Sequence, residues 1–321
     1  MNFDKLCEAK NRLPGNLNLS NRFFKNWRDY SLFITLCIDN NKISKSISNP
    51  IIATYFSEIQ ETLDGLYLLS KKFSVTNMLP LVRKLFEMYV QCAYILQDDT
   101  NNKAIVFEAK VIKDCYDVQK SNDLIKLKDL NSDDKAQIEC YYNKMIENNL
   151  NNLKKFTNNQ WHNKIMVNIN ANHYWSWYKL YNYILLEKEI KPRNYKFTLK
   201  DLCKIIDISI ISSDKDAILK IYEKIYGALS QEIHGVAVRK KLVTFNEYNV
   251  LNSFRYPEQI TFLMQTVNIC LWHLHLELIN FYNINIPKNK QNYKDFILSQ
   301  RKLIAKVDKA ENLLNKKRAP K

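Results

Sequence analysis

The chain has 321 residues and a formal net charge of +15, with 46% hydrophobic and 25% charged residues, the balance of a packed globular protein rather than of a disordered one. It contains only 4 Gly and 7 Pro. β-Sandwiches and barrels need far more of both for their turns, and neither G-x-G-x-x-G nor G-x-x-x-x-G-K-S/T occurs, which excludes dinucleotide-binding and P-loop domains and leaves an all-α fold.

In chain order, residues 1–48 form an N-terminal helical segment that begins without an apolar h-region, so no signal peptide is expected and the cytoplasm is the expected compartment. Asn49-Pro50 caps a helix whose apolar residues, Ile52 to Leu66, keep 3/4 spacing up to Lys71. The next helix is predicted from Met78 to Leu96. Two more polar helices follow at 101–119 and 133–150, the second capped near Ser132 with Asp133 and Asp134 in its first turn. The polar middle, about 120–172, reads as an insertion that ends in loops and short helices. An aromatic-rich helix is predicted over Tyr174–Glu187. Thr198-Leu-Lys-Asp201 resembles a capping box and opens a short helix to Ile206. Ser213 is expected to cap a helix from Asp214 to Ile233, closed near Gly235. Residues Phe245–Phe254 read as irregular, with no strand needed. Pro257 opens an apolar helix reaching Tyr282. Its Gln265, Asn268, His273, His275, Glu277 and Asn280 would be costly in lipid, so it reads as a buried helix and no membrane association is expected. A basic amphipathic helix over Gln291–Asn315 closes the chain. The expected architecture is one multi-helix bundle over 49–285, flanked by the N-terminal segment and a basic tail, 286–321.

The charge is unevenly spread. Ile286–Lys321 holds 11 Lys and Arg against 3 Asp and Glu, a net of +8, whereas the other 285 residues carry +7. An AT-rich coding bias produces the same lysine excess. As a binding surface, the tail would offer Arg301, Lys302, Lys306, Lys316, Lys317 and Arg318 to nucleic acid, RNA rather than DNA. The seven cysteines are scattered and never spaced C-x-x-C, which fits buried thiols in a reducing compartment and no zinc site.

Two helix faces could carry chemistry. Arg83, Glu87 and Tyr94 lie at i, i+4 and i+11, beside an apolar stripe. The Arg-before-Glu order is the weaker one for helix stabilisation. The pair is either a solvated ion pair or the polar floor of a site. Tyr222, Tyr226, Ser230 and His234 lie at i, i+4, i+8 and i+12, with the imidazole where a helix C-terminus favours its cation. It is either a general acid/base or a capping histidine. His273 and Glu277, one turn apart, are too few for a metal site, and no metal or other cofactor is expected. His162 and His173 lie among aromatic residues that could stack bases or simply pack.

The order of Arg83-Lys-Leu-Phe-Glu87, His173-Tyr-Trp175-Ser-Trp177, Phe197-Thr-Leu-Lys-Asp-Leu202 and Tyr226-Gly-Ala-Leu-Ser230-Gln-Glu-Ile-His234-Gly235 resembles an uncharacterised bacterial family of all-α proteins, over roughly Pro50 to Tyr282. That family is in turn similar to the HEPN-like helical group, many of whose members are metal-independent ribonucleases of toxin and antiphage systems. The resemblance implies an RNA-cleaving or RNA-binding effector in which His234 acts on the ribose 2′-hydroxyl, Arg83 stabilises phosphate charge, Ser230 and Tyr226 orient, and Glu87 holds Arg83. The HEPN signature has Arg four to six residues before His on one helix. His234 has none there, so Arg83 takes that part only if the two helices meet. The alternative is a non-catalytic helical binding or scaffold protein whose polar network fixes helix register and whose tail contacts nucleic acid or a protein. Expected partners are RNA, a protein of a defence complex and a second copy of the chain.

Overall fold

The computed structural model describes residues 16–40, 47–71, 75–126, 131–171, 175–186, 195–233, 242–245, 248–251, 260–284 and 289–318. Eleven α-helices occur among them. They are α1 (Asn16–Asn40), α2 (Ser48–Lys71), α3 (Val75–Leu96), α4 (Thr100–Lys126), α5 (Ser132–Asn152), α6 (Asn159–Ala171), α7 (Trp177–Leu185), α8 (Leu199–Ile205), α9 (Ala217–Ile233), α10 (Ile260–Phe281) and α11 (Asn289–Arg318), with a 3-10 turn at Leu153–Phe156. The all-α expectation holds. One correction concerns Phe245–Phe254, read as irregular. Strands β1 (Leu242–Phe245) and β2 (Tyr248–Leu251) pair antiparallel there, Leu242 opposite Leu251 and Phe245 opposite Tyr248. Val, Thr, Phe and Tyr around a two-residue connection suit such a ladder.

The chain divides into two compact units, one of residues 1–42, 54–93 and 202–321, the other of 43–53 and 94–201. In the first, α1, α10 and α11 pack on one another. Phe23, Phe24, Trp27 and Ile34 of α1 are fully buried, as are Leu263, Met264, Val267, Cys270, Leu271 and Leu274 of α10. Each such large side chain contributes roughly 1.5–3 kcal/mol of burial free energy. α10 is buried on nearly every side, which is why its apolar residues show no single stripe. Among the described residues, no helix is long and apolar enough to cross a membrane. α11 docks through Tyr293, Ile297, Leu303, Ile304 and Val307, and Phe296 stacks on Tyr30 at 4.3 Å and meets Trp27 edge-on at 5.0 Å.

The second unit packs α4 against α5, α6 and α7. Tyr94, Trp177 and Tyr181 form its aromatic centre, and the fully buried Lys103 lies inside it. The Lys103 ammonium donates to Asp98 at 2.7 Å and to the Tyr94 carbonyl at 2.8 Å, with the Tyr94 ring 4.0 Å away. Desolvation lowers the Lys103 pKa while Asp98 opposes the shift.

Local chemistry sets the helix ends. Half of the expected capping box forms at Thr198: its N–H donates to Asp201 Oδ2 at 3.0 Å, but its hydroxyl also donates to that oxygen, at 2.8 Å, and the Asp201 N–H goes to the Thr198 carbonyl at 3.0 Å. The cap of α5 is Asn131 rather than Ser132, since Asn131 Oδ1 accepts from the Asp134 N–H at 2.8 Å. α9 starts at Ala217, three residues later than expected, because Asp214 Oδ1 takes the Asp216 N–H in a turn ahead of the helix. α3 starts at Val75, ahead of Met78, and carries Pro80 within its second turn. The thiols are not uniformly buried, as was expected. Cys92, Cys203 and Cys270 are, whereas Cys115 and Cys140 are exposed.

Candidate functional site

Arg83 and Glu87 stand one turn apart on α3, and Tyr226 comes to them from α9. Arg83 Nε donates to Glu87 Oε1 at 2.6 Å, and the Tyr226 hydroxyl donates to the same oxygen. The Arg83 guanidinium lies over the Tyr226 ring, 4.4 Å from its centroid. Tyr222, one turn earlier on α9, stacks on Tyr226 with centroids 4.3 Å apart. The helices therefore meet through side chains 139 residues apart in sequence. The Arg83 and Glu87 side chains are 36% and 31% exposed, so the cluster is open to solvent and not sealed in the core.

The electrostatics assign the kinds of work these groups can do. Burial, then the bond to Glu87, raises the Tyr226 pKa far above that of a free phenol. The same carboxylate raises the Arg83 pKa. At neutral pH the site holds a permanent cation and a protonated phenol. Neither transfers protons, but the guanidinium can pair with an anion.

His234 lies outside the described residues, as does the Ser230 side chain, although α9 carries the Ser230 backbone. In α11, Arg301, Lys302 and Lys306 are exposed, with the Arg301 guanidinium 4.5 Å from the Trp272 ring centroid. The side chains of Lys316, Lys317 and Arg318 lie outside the described set. Tyr94 does not join Arg83 and Glu87. Its hydroxyl donates to Asn182 at 3.2 Å.

Other polar groups lie in the core, those of α10 as its reading as a buried helix expects. His273 and His275 of α10 have no exposed surface. His273 Nδ1 bonds Tyr89 Oη at 3.0 Å, and its Nε2 faces Glu277 at 3.5 Å. His275 Nε2 bonds Ser31 Oγ at 3.1 Å. His162 bonds the Leu150 carbonyl at 3.0 Å; His173 lies outside the described residues. A cleft of about 610 Å³ is formed by the end of α8 and the segment after it, lined among others by Lys204, Ser209, Ser212 and Lys215. Among the described residues, no three His, Cys, Asp or Glu side chains gather as metal ligands.

The fold and cluster define an all-α protein with an arginine–carboxylate–tyrosine site between two helices. A family profile matches residues 49–248, and the chain belongs to that family, the family of unknown function DUF5677. The match spans both α3 and α9. No curated protein and no solved structure matches the chain.

Proposed function

We propose that this protein is an RNA-cleaving or RNA-binding effector of HEPN-like type that works without a metal, in a bacterial antiphage or toxin system. The observation that carries the reading is the meeting of Arg83, Glu87 and Tyr226 on a solvent-accessible surface. A fixed guanidinium held by a carboxylate suits a phosphodiester, whose charge grows as the pentavalent transition state forms. In this reading His234 takes the proton of a ribose 2′-hydroxyl. The 2′-oxygen then attacks phosphorus, the 5′-oxygen departs, and a 2′,3′-cyclic phosphate remains. Glu87 keeps the guanidinium in place and Tyr226 braces both.

Incubation of the purified protein with total RNA and with defined single strands tests this. Cleavage is expected without added metal and in chelator. Arg83→Ala is expected to slow it by roughly 100-fold or more, and His234→Ala to abolish it while RNA binding persists. RNA left intact by the wild type sinks the catalytic reading.

A second reading, a helical binding protein without catalysis, is favoured by the docked α11 and its exposed Arg301, Lys302 and Lys306. In it, the Arg83 cluster clamps α3 to α9, and RNA affinity follows the charge of α11.

A further inference from the structure

α7 turns an unusual side to water. Trp177, Leu180, Tyr181 and Ile184 fall on one side of this helix and are buried. At 100° per residue, Tyr178, Lys179, Asn182 and Tyr183 fall within roughly 140° of one another on the other side, and all four are half-buried. The outer side of such a helix is ordinarily charged. Here it carries two phenols and a single cation.

The rings continue beyond the helix. Trp175, just ahead of α7, is buried and meets Tyr183 edge-on with centroids 5.1 Å apart. Tyr195 lies 5.3 Å from Tyr183 and 5.8 Å from Trp175. Phe197 is parallel to Tyr195 within 7°, with centroids 6.4 Å apart, and reaches Tyr178 at 6.4 Å. Tyr195 and Phe197, like Tyr178 and Tyr183, are only half-buried. The whole patch belongs to the second compact unit.

The charge around the rings is positive. Lys179 Nζ lies over the Trp175 ring, 4.2 Å from its centroid. Desolvation lowers the Lys179 pKa, and among the described residues it has no ion-pair partner. Such a cation has given up water without gaining an acid, which favours an anion brought beside it. Residues 175–200 hold six Lys and Arg against two Glu, a net of +4. Asp201, close to Tyr195, is already taken by the Thr198 N–H and hydroxyl.

Partly open aromatic faces interleaved with lysine fit one ligand chemistry. Unpaired bases stack on such rings whatever their sequence, and the phosphates between them pair with the cations. A duplex keeps its bases stacked on one another and offers the rings little. A protein partner fits less well, because lysine is depleted from the cores of protein interfaces.

We infer that Tyr178, Tyr183, Tyr195 and Phe197 form a base-stacking platform for single-stranded RNA, with Lys179 holding a phosphate of the bound strand. The inference rests on the RNA reading above and names what holds the bases, a role that Arg83, Glu87 and Tyr226 do not fill.

Fluorescence anisotropy on the full chain tests it with two strands of about twelve nucleotides. One is a 2′-O-methyl single strand, which has no free 2′-hydroxyl and cannot be cut by 2′-oxygen attack. The other is an abasic strand of the same length, with the same phosphates and no bases. The wild type is expected to bind the base-bearing strand roughly tenfold more tightly or better. Tyr195→Leu and Phe197→Leu are each expected to weaken that binding roughly 5-fold to 100-fold, with abasic binding and helical circular dichroism unchanged. Lys179→Gln is expected to weaken both strands and to reduce the slope of log affinity against log salt by about 0.7. A wild type that binds both strands alike overturns the platform and leaves the RNA reading standing. So do ring variants that bind the base-bearing strand as the wild type does. A wild type that binds neither strand overturns both readings and leaves the patch to a protein partner. The two-strand comparison on the wild type needs no variant, so it decides even if Tyr195→Leu fails to fold.

Discussion

At the scale of single residues, the cluster and the buried histidines answer to the same physics with opposite results. Glu87 serves two donors from different helices, and that double use makes Arg83 and Tyr226 permanent in their neutral-pH states. His275 has the reverse situation. Trp27, Tyr30, Phe56 and Tyr293 surround it, and its Nδ1 is without a partner. Burial lowers its pKa to about 3. The native state therefore holds it neutral, while the unfolded chain takes up a proton below pH 6.5. Below that value the unfolded state binds more protons, so stability falls as pH drops from 6.5 towards 3 and is unaffected above 6.5. Denaturant titrations at pH 7 and pH 5 should show the wild type losing about 2 kcal/mol more than His275→Gln. Equal losses would mean that His275 is hydrated or protonated in the native state. Spacing put Arg83 with Glu87 and Tyr222 with Tyr226 on their respective faces. The contact between those faces was not legible, because nothing local to either helix encodes a partner 139 residues away. Lys103 was equally hidden, since a lysine in a polar helix reads as solvated until Tyr94 and Tyr181 are seen to enclose it.

At the scale of elements, ends set by side chains were legible and ends set by context were less so. The start of α8 was visible because Thr198 and Asp201, which hold it, lie within four residues. Thr198→Ala removes the exposed hydroxyl–Asp201 bond but keeps the backbone one, and should lower stability by about 0.5 kcal/mol, read as a shift in the denaturation midpoint at constant slope. No change would show that α8 is held by Leu202 and Cys203 in the core rather than by its cap. The α5 cap fell one residue off because Asn131 and Ser132 are both competent caps, and only backbone dihedrals choose between them. The hairpin was missed for a different reason. Four-residue apolar runs carry too little periodicity to separate strand from loop.

At the scale of the whole molecule, net charge and architecture answer different questions. The scarcity of Gly and Pro decided the fold class correctly, because long helices joined by short connections need few of either. Most of the charge of 286–321 belongs to a helix with two faces, one docked through Tyr293, Ile297 and Val307, the other exposing Arg301, Lys302 and Lys306. The two faces predict separable effects. Replacing Lys302 and Lys306 by Gln should leave the melting temperature within about 1 °C and, if α11 contacts RNA, reduce the slope of log affinity against log salt by roughly 1.4. Removing α11 altogether should expose the α1 and α10 surfaces beneath it and abolish cooperative unfolding. A truncated chain that melts with the wild-type transition would contradict this account of α11 as part of the core.

The packing of α11 on α1 also governs the order in which the chain can mature during synthesis. Residues 94–201 emerge consecutively and hold nearly all of one unit, so that unit can consolidate while translation continues. α1 cannot. Phe23, Phe24 and Trp27 leave the ribosome long before Phe296, which closes over Trp27. Until α11 is made, the aromatic face of α1 lacks the helix that covers it and stays an adhesive surface on the nascent chain.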